Sequence, residues 1–442
     1  MPPLLFRIEW RMSTMPKFML PYGETTMEVA APSSGYQGTF LPVRDDVEAD
    51  SLTLIHQALE QPFGSKPLSE LVTVGQKVVI VISDLTRPCP SDVMLPPVLA
   101  QLNTAGIVDA DITIVVALGL HRKMSAAELQ EAVGEEIYRR ITVLNHDIDD
   151  VITIGTTKRG TLVQVFRPVV EADVRICLGN VEFHYFAGFS GGAKAIIPGI
   201  ASATTVNANH AHMIKDSAVA ASLTGNPVRE DLEEGVAMVG VEFILNVVVS
   251  ETHQIMAAAA GDVTLAHRQL CQYLTQSGMV IMPEKVDIAI VSAGGNPKDI
   301  NLYQAQKALD NIANVIRPGG IMILLARCEE GFGSSAFEQW LTSGKSCDQL
   351  LADIQQEFIL GGHKAAAIAM VAKSIGIYLV SDHGFGESQL VGLELYHDHK
   401  QALADAFATV ADNPQYAVFP LGASTLPAVR HKEENADGTN SS

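Results

Sequence analysis

Cysteine is scarce in this 442-residue sequence: five residues, Cys89, Cys177, Cys271, Cys328 and Cys347, include no Cys-x-x-Cys pair. An odd, scattered set fits reduced thiols in a cytoplasm better than a disulfide framework. Basic residues are also in deficit. Thirty Lys and Arg face fifty Asp and Glu, a formal net charge of −20. A general electrostatic grip on nucleic acid or on an anionic membrane would have to overcome that self-repulsion. No apolar run approaches the roughly 20 residues of a membrane helix, and the longest candidate, from Ala365 to Ala372, is interrupted by Lys373 and Ser374. The stretch from Met1 to Trp10 has too short an apolar run and no small-residue cleavage signal, so no secretory signal is expected there, and Met12 and Met15 are alternative starts. What the chain has in quantity is apolar material: 47% hydrophobic residues, enough for two or three domains with cores of their own. A soluble, cytoplasmic protein is expected, with small-molecule partners and with neither nucleic acid nor membrane among them.

Short runs rich in Val and Ile alternate with longer helical patterns, the signature of βαβ units and parallel sheets. Lys77 to Ser83 and Asp111 to Ala117 read as buried strands, each followed by a polar cluster. Ser125 with Glu128 forms a capping-box start for a helix running toward Arg140. Val174 to Leu178 leads into a block dense in glycine, aromatic and ionisable residues that ends at Lys194. A second series of strands begins at Val286 and continues at Gly320 and Gly376, with helical patterns over Leu302 to Val315 and His363 to Ser374. The fold class is therefore α/β, as two α/β domains with largely parallel sheets and an active-site cleft between them. The expected division is an N-terminal extension over 1–15, a catalytic and cofactor-binding domain over 16–282, a C-terminal domain over 283–430, and a disordered tail over 431–442.

Ligands of open α/β sheets sit beyond the carboxyl ends of strands, which directs attention to the loops there. Asp84-Leu-Thr-Arg87-Pro places a carboxylate, a hydroxyl and a guanidinium on one loop. Arg87 can clamp a carboxylate or phosphate, or can simply pair with Asp84. Cys89 beside it reads as an inert thiol. His121, His184 and His210 fall at loop positions, with His212 as a further candidate ligand. Two such histidines can serve as acid and base on opposite sides of a substrate, and one can ligate a metal, but spacing alone does not choose. The Gly188-to-Lys194 block exposes backbone N–H groups beside a lysine, yet Ala193 and Ala195 break the Walker pattern. Lys194 reads as an anion ligand or as a nucleophile carrying a covalently attached group. Gln304 and Lys307 lie three apart and share a helical face from which they can grip a carboxylate and a hydroxyl.

Together, Asp84-Leu-Thr-Arg-Pro, Gly119-Leu-His-Arg122, Glu182 through Lys194, Asn209-His210 and Leu302-Tyr-Gln-Ala-Gln-Lys307 resemble the nickel-pincer lactate racemase family of 2-hydroxy acid racemases and epimerases. The resemblance spans almost the whole chain. It implies an isomerase whose cofactor is a nickel-pincer nucleotide, of the nickel pyridinium-3,5-bisthiocarboxylic acid mononucleotide type, covalently linked to Lys194. It further implies that His210 binds the nickel, that His121 and His184 are the catalytic acid and base, and that Arg87, Gln304 and Lys307 bind substrate. Asp84 would orient the site, and Gly191 and Gly192 would lie against the cofactor. Implied partners are a small 2-hydroxy acid substrate and the enzymes that build the cofactor.

Direct removal of the α-proton of a 2-hydroxy carboxylate would demand stabilisation of a dianion, whereas hydride removal to the cofactor gives a 2-keto acid and avoids it. The chain departs from the family's usual pattern at Ala193, Cys89 and Asn296, and the polar Asn296 suggests a substrate larger or more hydroxylated than lactate. Two other readings stand beside this one. A non-catalytic protein of the same fold would bind a nucleotide-like or metal-bearing ligand without turnover, and a metal hydrolase would use His184, His210 and His212 without any HExxH spacing to support it.

Overall fold

A computed structural model describes residues 15–42, 50–250, 254–383, 385–386, 389–410 and 412–429. The expected tail lies outside those residues, as does the expected N-terminal extension apart from Met15. The described residues divide into two units, one made of those between 50 and 278 together with 352–360, and the other of 15–42 with those between 279 and 351 and between 361 and 429.

The first unit is built on a six-stranded sheet in the spatial order Ile255–Gly261, Phe243–Val249, Val174–Asn180, Val78–Ser83, Ile112–Ala117, Thr142–Asn145. All neighbours run parallel except the pair Phe243–Val249 and Ile255–Gly261. Ile80, Ile82, Ile114, Val116, Ile176 and Leu178 form one face of this sheet and are closed into a core by Leu95, Val98 and Leu102 of the helix Ser91–Thr104. β-Branched residues at nearly every position of Val78–Ser83 explain why this run is a central strand rather than a helix. Sequence order reverses on either side of that strand, so its carboxyl end is the switch point at which open α/β sheets hold ligands.

The second unit carries a six-stranded, all-parallel sheet ordered Glu394–Tyr396, Gly376–Val380, Ile316–Leu325, Val286–Ser292, Tyr416–Phe419, Tyr36–Thr39. Both units are thus the α/β class expected from the alternating pattern.

Three expectations need correction. Residues 17–39 do not join the N-terminal unit, because Tyr36–Thr39 completes the edge of the second unit's sheet beside Tyr416–Phe419. The chain changes unit at Gly278 and Met279, and residues 352–360 group with the first unit. The capping box at Ser125 and Glu128 is present, but the helix it starts ends at Val133. Gly134, at φ +82°, turns the chain before a separate helix, Glu135–Arg140.

Candidate active site

Five of the expected site residues follow the carboxyl ends of three adjacent strands of the first sheet. Asp84 and Arg87 follow Val78–Ser83, His121 follows Ile112–Ala117, and His184 and Lys194 follow Val174–Asn180. His210 arrives separately, as the last residue of the helix Ala203–His210, whose start is capped by Ser202 accepting from the Thr205 N–H at 3.2 Å.

Asp84 is buried, and its Oδ2 accepts from His121 Nδ1 at 2.6 Å while its Oδ1 accepts from the Thr86 hydroxyl at 2.6 Å. Burial alone would raise this carboxyl. The hydrogen bonds from His121 and Thr86, with the charges of His121 and Arg87, outweigh it and hold the group below the usual carboxylate range. An ionised carboxylate only accepts, so Nδ1 of His121 carries a proton and Nε2 is the ring nitrogen left for a substrate. Both Asp84 oxygens are thereby engaged, and Arg87 is exposed rather than consumed as the loop's internal clasp.

His184 stands in a tight hairpin in which Phe183–His184 pairs with Gly188–Phe189. Arg229, fully buried, braces the far arm by donating to the carbonyls of Ala187, at 3.1 Å, and Phe189. The Ala187 N–H donates to His184 Nδ1 at 3.3 Å, and Nε2 lies 2.9 Å from Lys194 Nζ. Burial, followed by the charges of Lys194, Arg87, His210 and Arg229, holds the His184 imidazole well below its ordinary value. Lys194 is held well below its own by burial, with Arg87 and Arg229 adding to the effect. Since Nδ1 accepts, Nε2 carries the single proton and donates to the lone pair of an unprotonated amine.

One aromatic ring borders three of these groups. Phe186 lies with its ring centroid 4.5 Å from His184, 5.0 Å from His210 and 5.4 Å from Lys194 Nζ. Phe358, from the segment 352–360, packs edge-on against the other side of His210 at 5.1 Å. This apolar packing around the ionisable groups contributes to the burial that lowers Lys194.

Gly191 and Gly192 have φ of +70° and +56°. A Cβ at Gly191 would come within 2.8 Å of Asn246 Oδ1, and one at Gly192 within 2.8 Å of the His267 ring. Glycine is thus required at both positions by the protein's own packing. Gly192 N–H donates to Asn246 Oδ1 at 2.7 Å, which fixes the short 3-10 turn that carries Lys194.

Gln304 and Lys307 belong to the second unit, in the first turns of the helix Leu302–Ile312, where Asn301 caps by accepting from the Gln304 N–H at 3.0 Å. Asn296 is exposed in the same unit and donates to Glu24 at 3.4 Å, a turn-fastening contact. Cys89 is inert, its thiol pushed up to about 12 by burial. His212 departs from the other histidines: it lines a cavity of about 500 Å³ with Lys158, Arg159 and Lys215. No group of three or more His, Cys, Asp or Glu side chains placed to hold a metal ion occurs among the described residues. A three-histidine hydrolase centre is therefore not formed. A metal at His210 would need donors from a non-protein group.

Sequence reasoning missed Phe186, Phe358, Arg229 and Asn246. Phe186 sat inside the quoted block, but nothing in its spacing marks it as the ring shared by three ionisable groups. Arg229 opens a charge-dense run, Arg-Glu-Asp-Leu-Glu-Glu, that reads as a solvated helix face.

Two family models match the chain: the lactate racemase N-terminal domain over residues 22–222 and the lactate racemase C-terminal domain over residues 281–426. A lactate racemase of Thermoanaerobacterium thermosaccharolyticum is 30% identical over 430 residues, covering 95% of this chain and all of that protein. A lactate racemase of Lactiplantibacillus plantarum is 33% identical over 325 residues, 72% of this chain and 76% of that one. The solved structure of the T. thermosaccharolyticum lactate racemase apoprotein superposes with a TM-score of 0.84 at 29% identity, covering 94% of this chain and 100% of that one.

Proposed function

This chain belongs to the lactate racemase family and is an isomerase, and from that premise we propose that it racemises or epimerises a 2-hydroxy carboxylic acid, with lactate the first substrate to test. The observation that carries the proposal is a pair of histidines beyond strand ends of one sheet, each anchored through Nδ1, His121 by Asp84 at 2.6 Å and His184 by the Ala187 N–H at 3.3 Å. Each leaves Nε2 for proton exchange with a substrate hydroxyl, His184 once its contact with Lys194 is released. Two such groups suit a racemase, because the hydroxyls of two enantiomers stand in different places and are served by different groups. A ligand-binding protein without turnover has no use for the pair.

The residues also fit the family's cofactor. Lys194, whose amine burial holds well below its ordinary value, is the more readily deprotonated nucleophile and suits a covalent thioamide link to a sulfurised nicotinic-acid mononucleotide. His210 suits the nickel that this group carries, since a lone protein ligand leaves the remaining positions to the pincer's own donors. When bound, the group supplies a reversible hydride acceptor for C2, so that a 2-hydroxy acid passes to a 2-keto acid and back.

The chain's own residues then do the following. Arg87, exposed at the switch point, holds the substrate carboxylate. Asp84 keeps His121 in the tautomer whose Nε2 takes the hydroxyl proton, and stabilises the imidazolium that results. His184 serves the oxygen on the other side, as a base when neutral and as an acid when protonated, once acylation of Lys194 has released its Nε2. Phe186 keeps water from this corner. Roles for Gln304 and Lys307 in gripping the substrate rest on the family resemblance.

The test is to produce the chain with the enzymes that build the cofactor, then map the mass of the Lys194 peptide, measure nickel and assay both enantiomers of lactate. A mass increment on Lys194 with stoichiometric nickel, and equilibration of the enantiomers, is expected. An unmodified Lys194 from a host that loads a known relative contradicts the reading.

A further inference from the structure

We propose that Asp231, which does not touch the reacting groups, is a positioning residue that decides which ring nitrogen of His210 carries its proton. The inference rests on the reading of His210 as the nickel-facing histidine.

Asp231 is completely buried on the helix Pro227–Val239. Its Oδ1 accepts from the Thr157 hydroxyl at 2.5 Å, and its Oδ2 accepts from the Thr161 hydroxyl at 2.7 Å and from Asn209 Nδ2 at 2.8 Å. Asn209 is also fully buried, and its Nδ2 makes a second bond to the Val228 carbonyl at 3.1 Å. Both partners of Nδ2 are acceptors with no proton to give. The amide therefore has one tenable orientation, because a flip would set Oδ1 against a carboxylate and a carbonyl at once.

With the amide so fixed, Asn209 Oδ1 faces His210 Nδ1 at 3.1 Å. An amide oxygen only accepts, so Nδ1 must carry the proton, and in a neutral imidazole Nε2 is then the lone pair that a metal requires. The chain of command runs from two threonines in the turn between Val151–Thr156 and Leu162–Phe166, through Asp231 and Asn209, to His210. It also explains why position 231 holds an acidic residue with hydroxyl and amide partners. An asparagine there can rotate and offer its own N–H₂ to Asn209 Oδ1, making both amide orientations, and so both tautomers of His210, self-consistent. A carboxylate cannot.

The test uses the full chain without cofactor, with ¹⁵N-labelled histidine, read above neutral pH by long-range ¹H–¹⁵N correlation. The His210 signals are assigned by their loss in His210→Gln. Wild type is expected to show a protonated Nδ1 and a lone-pair Nε2. In Asp231→Asn both resonances should move toward the opposite tautomer. In the exchanged pair Asn209→Asp with Asp231→Asn, where a carboxylate again stands before Nδ1, they should return. A purely structural role for Asp231 predicts lower stability with unmoved resonances, and that result overturns the proposal. So does a wild-type His210 protonated at Nε2, an outcome that needs no variant to fold. The underlying reading fails differently: nickel retained by loaded His210→Gln would remove His210 from the metal and leave the tautomer result standing.

Discussion

Nζ of Lys194 lies 2.9 Å from Nε2 of His184, and the Ala187 N–H occupies the other ring nitrogen. The imidazole is thus the donor and the lysine the acceptor, an arrangement open only to an uncharged amine. Each side chain thus occupies the functional nitrogen of the other.

Lys194→Met tests that neutrality in the unloaded protein. Folding lowers the amine's pKa, so the unfolded chain binds more protons and wild-type stability rises with pH between the folded value and the ordinary 10.5. The methionine variant should melt at a higher temperature near pH 7, and its lead should shrink as pH approaches 10.5. A constant difference would mean that Lys194 is charged in the folded protein.

Asp84→Asn should lower kcat by about 10²-fold or more while leaving Lys194 acylated and KM little changed, because the amide no longer fixes the His121 tautomer. The carboxyl's folded value lies below its ordinary 3.8, so its contribution to stability is complete above that pH and is lost as pH falls through the folded value. Melting curves of wild type and variant should converge in acid. Equal kcat in the two proteins would remove Asp84 from the mechanism.

Much of this was legible in the residues. The run Val78–Ser83 admits little but a buried strand, and the placing of Asp84, His121, His184 and Lys194 beyond strand ends follows from the apolar runs before them. The rest depends on partners distant in sequence. Tyr36–Thr39, with its glycine and glutamine, has no strand signature and becomes one because Tyr416–Phe419 offers an edge. Arg229 and Asp231 look like one charged helix surface and are instead both fully buried, each matched to hydrogen-bond partners 40 or more residues away. Local pattern reports propensity, and burial of a charge is decided only when the facing carbonyls and hydroxyls arrive.

Arg229→Met should destabilise the protein by about 3–5 kcal/mol, since it strands the carbonyls of Ala187 and Phe189 that the guanidinium now serves. Chemical denaturation measures this. A loss below about 0.5 kcal/mol, the level of an ordinary surface substitution, would show that the hairpin bearing His184 does not need the brace.

Ser125→Ala provides the remote control. It removes a capping box on the helix Ala126–Val133 and should cost about 1 kcal/mol without altering turnover. A matching fall in kcat would show that activity follows general stability and would weaken every site assignment made by substitution.

The most direct test of hydride transfer is to run the racemisation in D₂O with the loaded enzyme and follow C2 of the product by NMR and mass spectrometry. Retention of ¹H at C2 through many turnovers is the predicted result, since the hydrogen leaves and returns as hydride while only the hydroxyl proton meets His121 and His184. Deuterium entering C2 at the rate of racemisation would contradict the account and establish proton abstraction at carbon instead.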